Sequence, residues 1–140
     1  MHKSVRGIIK YKDGIILIHR IKKQDNGNIR DYYVVPGGKM EKEESENQTV
    51  IREVYEELGI DIKPIKKILE VNSEYDDSIQ IFYLCDFISG ILGTGDGPEF
   101  HNMDEYKGKF EIEIVGQDKI KNINLVPEEI KDFIVKGGLM

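Results

Sequence analysis

The chain has 140 residues, room for one closed core and too few for two independent ones. Lys+Arg number 20 against 26 Asp+Glu, a formal net charge of −6. That balance excludes a nucleic-acid coat or an anionic-membrane binder, which need a positive field, but not a small phosphorylated ligand held through bound metal. No apolar run approaches the ~20 residues that span a bilayer, and no long apolar segment follows the basic residues of the N-terminus. The chain therefore reads as soluble and cytoplasmic. Cys85 is the only cysteine, so an intrachain disulfide is excluded and a Cys-based zinc site would lack ligands.

Ser4 to Tyr11 and Ile15 to Ile21 are runs rich in β-branched residues, separated by Asp13-Gly14, the signature of a hairpin. The polar stretch Lys22 to Asp31 predicts a long turn before a short strand, Tyr32 to Val35, which Pro36-Gly37-Gly38 ends abruptly. From Ser45 to Leu58 the pattern becomes helical. Ser45 and Gln48 form a capping box, and Gly59 supplies a left-handed stop. At about 100° per residue, Val50, Ile51, Val54 and Leu58 fall on one arc and Glu53, Glu56 and Glu57 on its neighbour, so one stripe can face a core while the other faces an open site. Further strands are predicted over Ile60 to Asn72, Ser78 to Ser89 and Phe110 to Val115, with Cys85 as a buried, inert thiol within the second. Gly90 to Lys109 is a Gly-rich connection whose length suits a functional loop. A second helix follows Pro127, with Ile130, Phe133 and Ile134 on one face. The sum is a mixed sheet with about two helices, one on each face.

The chemistry lies between Gly38 and Ile60. Glu53, Glu56 and Glu57 stand at i, i+3 and i+4, so three carboxylates crowd about one helical turn near its C-terminus, where mutual repulsion and the macrodipole both oppose them. Taken alone, such a triplet reads as a solvated acidic face. It is also the donor set that hard divalent cations prefer, and such a site can orient a water and neutralise phosphate oxygens while one Glu accepts a proton.

The wider spacing favours the second reading. Gly38, Glu44, Arg52, Glu53, Val54, Glu56, Glu57, Gly59 and Ile60 fill the pattern Gly, five residues, Glu, seven residues, Arg-Glu-aliphatic-any-Glu-Glu-any-Gly-aliphatic. In this the chain resembles the Nudix hydrolases. The resemblance implies one domain over residues 1–140, an α/β/α sandwich with a mixed sheet and a loop-helix-loop box, and hydrolysis of a pyrophosphate linkage in a nucleoside diphosphate derivative with Mg²⁺ or Mn²⁺. It implies Glu53, Glu56 and Glu57 as metal ligands, joined by the main-chain carbonyl of Gly38. It implies a structural ion pair between Glu44 and Arg52, with Gly59 closing the helix. Glu53 is the first choice of general base, with Arg52 beside it in the catalytic group; Glu99, Glu105 and Asp96 in the long connection are alternatives.

Lys39 resembles the lysine that lies near substrate phosphate in MutT-type triphosphate pyrophosphohydrolases, and Arg20, at the end of the second strand, is a further phosphate candidate beside Glu99. Tyr32, Tyr33, Phe82 and Tyr83 are candidates for stacking on a base, though aromatic residues in strands usually pack in the sheet. His2, His19 and His101 are too scattered in sequence to define a metal site. The leading substrate class is a nucleoside triphosphate, oxidised forms included. ADP-ribose or another NDP-sugar is the runner-up, then dinucleoside polyphosphates, with a catalytically silent nucleotide sensor as the reading from another class. Exposed strand edges leave a homodimer open.

Overall fold

The computed structural model describes residues 2–73, 76–94 and 108–139. In chain order these form β1 (His2–Tyr11), β2 (Gly14–Lys23), β3 (Ile29–Val34), β4 (Gly37–Lys39), α1 (Glu46–Leu58), β5 (Ile60–Asn72), β6 (Ser78–Gly90), β7 (Gly108–Val115), a 3₁₀ helix (Gln117–Asn122), β8 (Leu125–Val126) and α2 (Glu128–Val135). The strands make one curled mixed sheet in the order β5-β6-β1-β2-β3-β8, with β4 also on β1 and β7 also on β2. β1 runs parallel to β6, and β3 to β8; the other pairs are antiparallel.

β1 is bonded to β2 only near the hairpin, at Lys10↔Ile15 and Tyr11↔Gly14, and takes β4 as its neighbour at Ser4, Val5 and Arg6. The two halves of the sheet part along that line. A cleft opens there, between β1 and β4 on one side and β2 and β3 on the other.

The pleat sends alternate residues into two cores. Ile8, Ile15, Leu17 and Phe82 pack with Ile130 and Ile134 of α2, while Val5, Ile9, Ile16, Ile18 and Ile81 pack with Val50, Val54 and Leu58 of α1. The helix on each face that the sequence predicts is present. Cys85 lies in the α1 core at 1% exposure, and burial pushes its thiol up to about 12.

Four details differ from the sequence reading. β3 begins at Ile29 within the predicted turn, because β2 continues to Lys23 and supplies a partner at Lys23↔Ile29. Gly37 to Lys39 is a strand rather than a stop: with two glycines it carries no side-chain alternation, and its place is set by β1, through Gly7 N–H to the Pro36 carbonyl and Met40 N–H to the Lys3 carbonyl, both 2.8 Å. Ile51 is 38% exposed, and Thr49, bonded through its hydroxyl to Ser45 and Glu44, occupies the buried arc instead. The 3₁₀ helix and β8 have no periodic signal of their own.

Candidate active site

α1 is fixed in rotation by its core stripe and in length by its caps. The Ser45 hydroxyl accepts from Gln48 N–H at 3.1 Å and the Gln48 side chain accepts from Ser45 N–H at 2.9 Å. Gly59 ends the helix at φ 78° and donates its N–H to the Tyr55 carbonyl. With Val50, Val54 and Leu58 fully buried, the adjacent arc carries Glu53, Glu56 and Glu57 to the cleft.

β4 is held against this arc. Gly37 N–H donates to Glu57 Oε1 at 3.2 Å, and a Cβ on Gly38 would come within 2.5 Å of the Glu53 carboxyl carbon. Only glycine leaves that carboxylate its place beside the main chain of residue 38.

Arg52 ties the loop to the helix. Its Nε donates to Glu44 Oε2 at 2.6 Å and Nη2 to Glu44 Oε1 at 2.9 Å, a two-pronged pair; Nη1 donates to Glu53 at 2.9 Å and Glu56 at 3.2 Å, and Nη2 also to the Lys39 carbonyl at 3.1 Å. Every nitrogen of the guanidinium is thus bonded to a protein oxygen, so Arg52 sets the position of carboxylates and has no nitrogen held in reserve for phosphate. Arg52, with help from the Glu41 N–H and the Thr49 hydroxyl, holds the Glu44 carboxyl down to about 2. Hydrogen bonding to Glu44 raises the Arg52 guanidinium above its ordinary value in turn.

The cleft has a volume of about 410 Å³. Glu53, Glu56 and Glu57 line it together with Arg6, Arg20 and Lys39; Gly37 and Gly38 form one edge and Ile18, Val34 and Phe110 the apolar wall. Among the described residues the lining offers carboxylate and carbonyl oxygens and no imidazole or thiol, a donor set that fits a hard divalent cation.

Lys39 and Arg20 thus reach the same cleft as the box glutamates. Glu99, Glu105, Asp96 and His101 lie outside the described residues. The four aromatic residues considered for base stacking are not in the lining. Phe82 is core, Tyr32 is 5% exposed beneath Arg20 and Arg30, Tyr33 stacks on His19, and the Tyr83 hydroxyl donates to Glu46 at 2.8 Å. Phe110 is the aromatic wall, with the Arg20 guanidinium 4.6 Å over its ring.

Arg6 is the other residue that the sequence reading misses. It sits between the buried Val5 and Gly7 in β1, which also carries Lys3 and Lys10, and a charged residue there reads as a solvent-facing position. Its guanidinium instead points into the cleft, donating to the Val35 carbonyl at 2.7 Å and to Gln80 Oε1 at 3.1 Å.

On the opposite face of β2, His19 forms a clasp of its own. Nδ1 lies 2.6 Å from Glu113 Oε2 and Nε2 2.6 Å from Asp31 Oδ1, and the ring stacks on Tyr33, whose hydroxyl donates to Glu113 at 3.2 Å. With a carboxylate at each ring nitrogen the imidazolium form satisfies both bonds, and in that form the ring joins β2, β3 and β7. Donor atoms of His19, Glu111 and Glu113 lie within 4.8 Å of one another, a grouping absent from the sequence reading because the sheet register alone assembles it.

The architecture and the box agree with the comparisons to known proteins. A NUDIX domain model matches residues 1–123, and the chain belongs to the Nudix family. It is 35% identical over 98 residues to the ADP-ribose pyrophosphatase of Methanocaldococcus jannaschii, a match covering 66% of this chain and spanning only 55% of that protein's length. Among solved structures, the MutT protein of Methanosarcina mazei Go1 superposes with a TM-score of 0.67 at 24% identity, covering 96% of this chain and 91% of that one. The ORF135 protein of E. coli gives 0.66 at 22%, covering 93% and 84%. An ADP-ribose pyrophosphatase from Streptococcus suis gives 0.63 at 16%, covering 98% and 91%. At these identities the structural likeness is one of fold.

Proposed function

We propose that this chain, acting as a single domain over residues 1–140, is a divalent-cation-dependent hydrolase of the pyrophosphate linkage in a nucleoside diphosphate derivative. The observation that carries the reading is the placement of Glu53, Glu56 and Glu57 on one wall of a cleft whose other described charged residues are Arg6, Arg20 and Lys39. Repelling carboxylates at that spacing weaken a helix, and cations held between them and an anionic substrate would offset that repulsion.

In this reading Glu53, Glu56 and Glu57, with the Gly38 carbonyl, hold Mg²⁺ or Mn²⁺. When bound, such an ion supplies charge neutralisation at phosphoryl oxygens and a water of lowered pKa. Arg52 fixes the Glu53 and Glu56 carboxylates through Nη1, and Glu44 fixes Arg52. Glu53 is the proposed proton acceptor for the attacking water. Lys39 and Arg20 bind substrate phosphate, and Ile18, Val34 and Phe110 give the remainder of the nucleotide an apolar wall.

A nucleoside triphosphate, including oxidised forms, is the first substrate proposed, on the small apolar wall and the lysine after Gly38. ADP-ribose is the second, favoured by the 35% identity to an ADP-ribose pyrophosphatase. The test is phosphate or nucleoside monophosphate release from a panel of triphosphates, NDP-sugars and dinucleoside polyphosphates, with Mg²⁺ and with EDTA. Turnover of at least one class that EDTA abolishes is expected. Binding without turnover across the panel would replace the hydrolase with a nucleotide sensor.

A further inference from the structure

We propose that Arg6 is a substrate-binding residue, forming with Arg20 the phosphate-holding pole of the cleft opposite Glu57. The inference rests on the hydrolase reading for the identity of the ligand and adds to it a residue outside the Nudix box.

The arginine is built into position. The Val35 carbonyl and the Gln80 side chain hold its Nη1 and Nε, so the fork is ordered before any ligand arrives and little rotamer entropy remains to be lost on binding. It is also costly where it stands. Burial disfavours its charge and Arg20 adds like-charge repulsion, which Glu57 and Glu53 offset only in part. A strand chosen for stability alone would carry an apolar residue here, as β1 does at Val5, Ile8 and Ile9.

The charge count gives the arrangement its use. Among the described residues three carboxylates and three cations line the cleft, so their formal charges cancel. Each divalent cation taken up by the glutamates engages the anions that offset Arg6 and adds two positive charges. The cleft, which the two guanidiniums already make a weak receptor for a polyanion, then becomes a stronger one, with metal on the α1 side and two guanidiniums on the strand side. Two guanidiniums converging on one cleft match adjacent phosphoryl groups better than one, because each presents a planar fork. Arg6 is thus a counter-ion to Glu57 in the free protein and a phosphate ligand in the complex.

The experiment is calorimetric titration of inorganic pyrophosphate into wild type, Arg6→Gln, Arg6→Lys and Glu57→Gln in EDTA, with steady-state kinetics in Mg²⁺ and thermal melting of each variant. Wild type is expected to bind pyrophosphate without metal, Arg6→Gln at least tenfold more weakly and Arg6→Lys between them. Glu57→Gln is expected to bind more tightly than wild type, and that gain is expected to vanish when Arg6→Gln is added. In kinetics Arg6→Gln is expected to raise KM at least tenfold while kcat falls less. Arg6→Lys keeps the charge and serves if Arg6→Gln melts early. Pyrophosphate binding and KM like wild type in a folded Arg6 variant would overturn the proposal, and so would failure of wild type to bind pyrophosphate in EDTA. Binding that depends on Arg6 in a protein that hydrolyses nothing on the panel would sink the hydrolase reading and leave Arg6 as a phosphate ligand.

Discussion

The Arg52 guanidinium grips the Glu44 carboxylate at 2.6 and 2.9 Å, joining the loop after β4 to the second turn of α1. One end of this arginine is anchored on the loop and the other on Glu53 and Glu56, so the pair sets where the cleft's carboxylates stand. Glu44→Gln is expected to leave the protein folded, lower the melting temperature and reduce hydrolysis through misplaced glutamates. The Glu44 carboxyl is lowered from 4.5 to about 2, so the folded state binds its proton less readily than the unfolded state. The stabilisation is complete above about pH 5 and is lost as pH falls from there toward 2. The shift bounds it at about 3 kcal/mol, and solvent at the mouth of the loop reduces that to about 1–2 kcal/mol. Acid melting curves of wild type and Glu44→Gln should converge at low pH. Parallel curves down to pH 2 would show that the charge of Glu44 contributes nothing to stability.

His19 makes the opposite prediction. Burial pulls its pKa down, but the bonds to Asp31 and Glu113 outweigh that and raise it above 6.5. A raised folded value means stability that is complete below about pH 6.5 and is lost as pH rises through the folded value. The melting difference between wild type and His19→Gln is expected to be largest near pH 6 and to shrink in alkali. NMR titration of the His19 ring measures the shift directly, and a midpoint at or below 6.5 would contradict the imidazolium clasp.

The interior side of Gly38 is filled by the Glu53 carboxylate. Gly38→Ala is expected to keep the circular dichroism of the wild type while lowering hydrolysis about 100-fold, the scale of a displacement near 1 Å in a catalytic group. Unchanged kcat would mean that the Glu53 position seen here is not the working one.

Cys85 sits between α1 and the sheet with its thiol pushed up to about 12. A thiol reagent is expected to leave the native protein unlabelled and to react fully in denaturant. Prompt labelling of the native state would indicate an opening of the α1 core.

These predictions draw unequally on what the sequence discloses. Local physics is legible in it. The Ser45–Gln48 box and Gly59 bound α1 because capping acts over three or four residues, and the alternation of Ile8 with Ile9 and of Ile15 to Ile18 foretells a sheet covered on both faces. The glutamates of α1 are legible for the same reason, since one helix turn brings them together without help from the rest of the chain. Arg6, Phe110 and the His19 clasp are not. Arg6 and Phe110 reach the cleft only because β1 leaves β2 for β4 and β7 pairs with β2 at Arg20↔Phe110, and His19 meets Glu113 across 94 residues. Such register is a long-range property. Ile51 departs from the buried arc for a subtler reason: that arc of α1 admits Thr49 because Ser45 and Glu44 satisfy its hydroxyl.

The central claim is that the α1 carboxylates hold a cation for pyrophosphate hydrolysis, and Glu57 tests it most directly. It faces the cleft, accepts from Gly37 N–H and lies outside the Arg52 network that shapes the loop. Glu57→Gln should keep its fold, shown by circular dichroism and melting, and lose at least about 100-fold in kcat at saturating Mg²⁺ on whichever substrate wild type turns over best. Turnover equal to wild type in that variant would contradict the account.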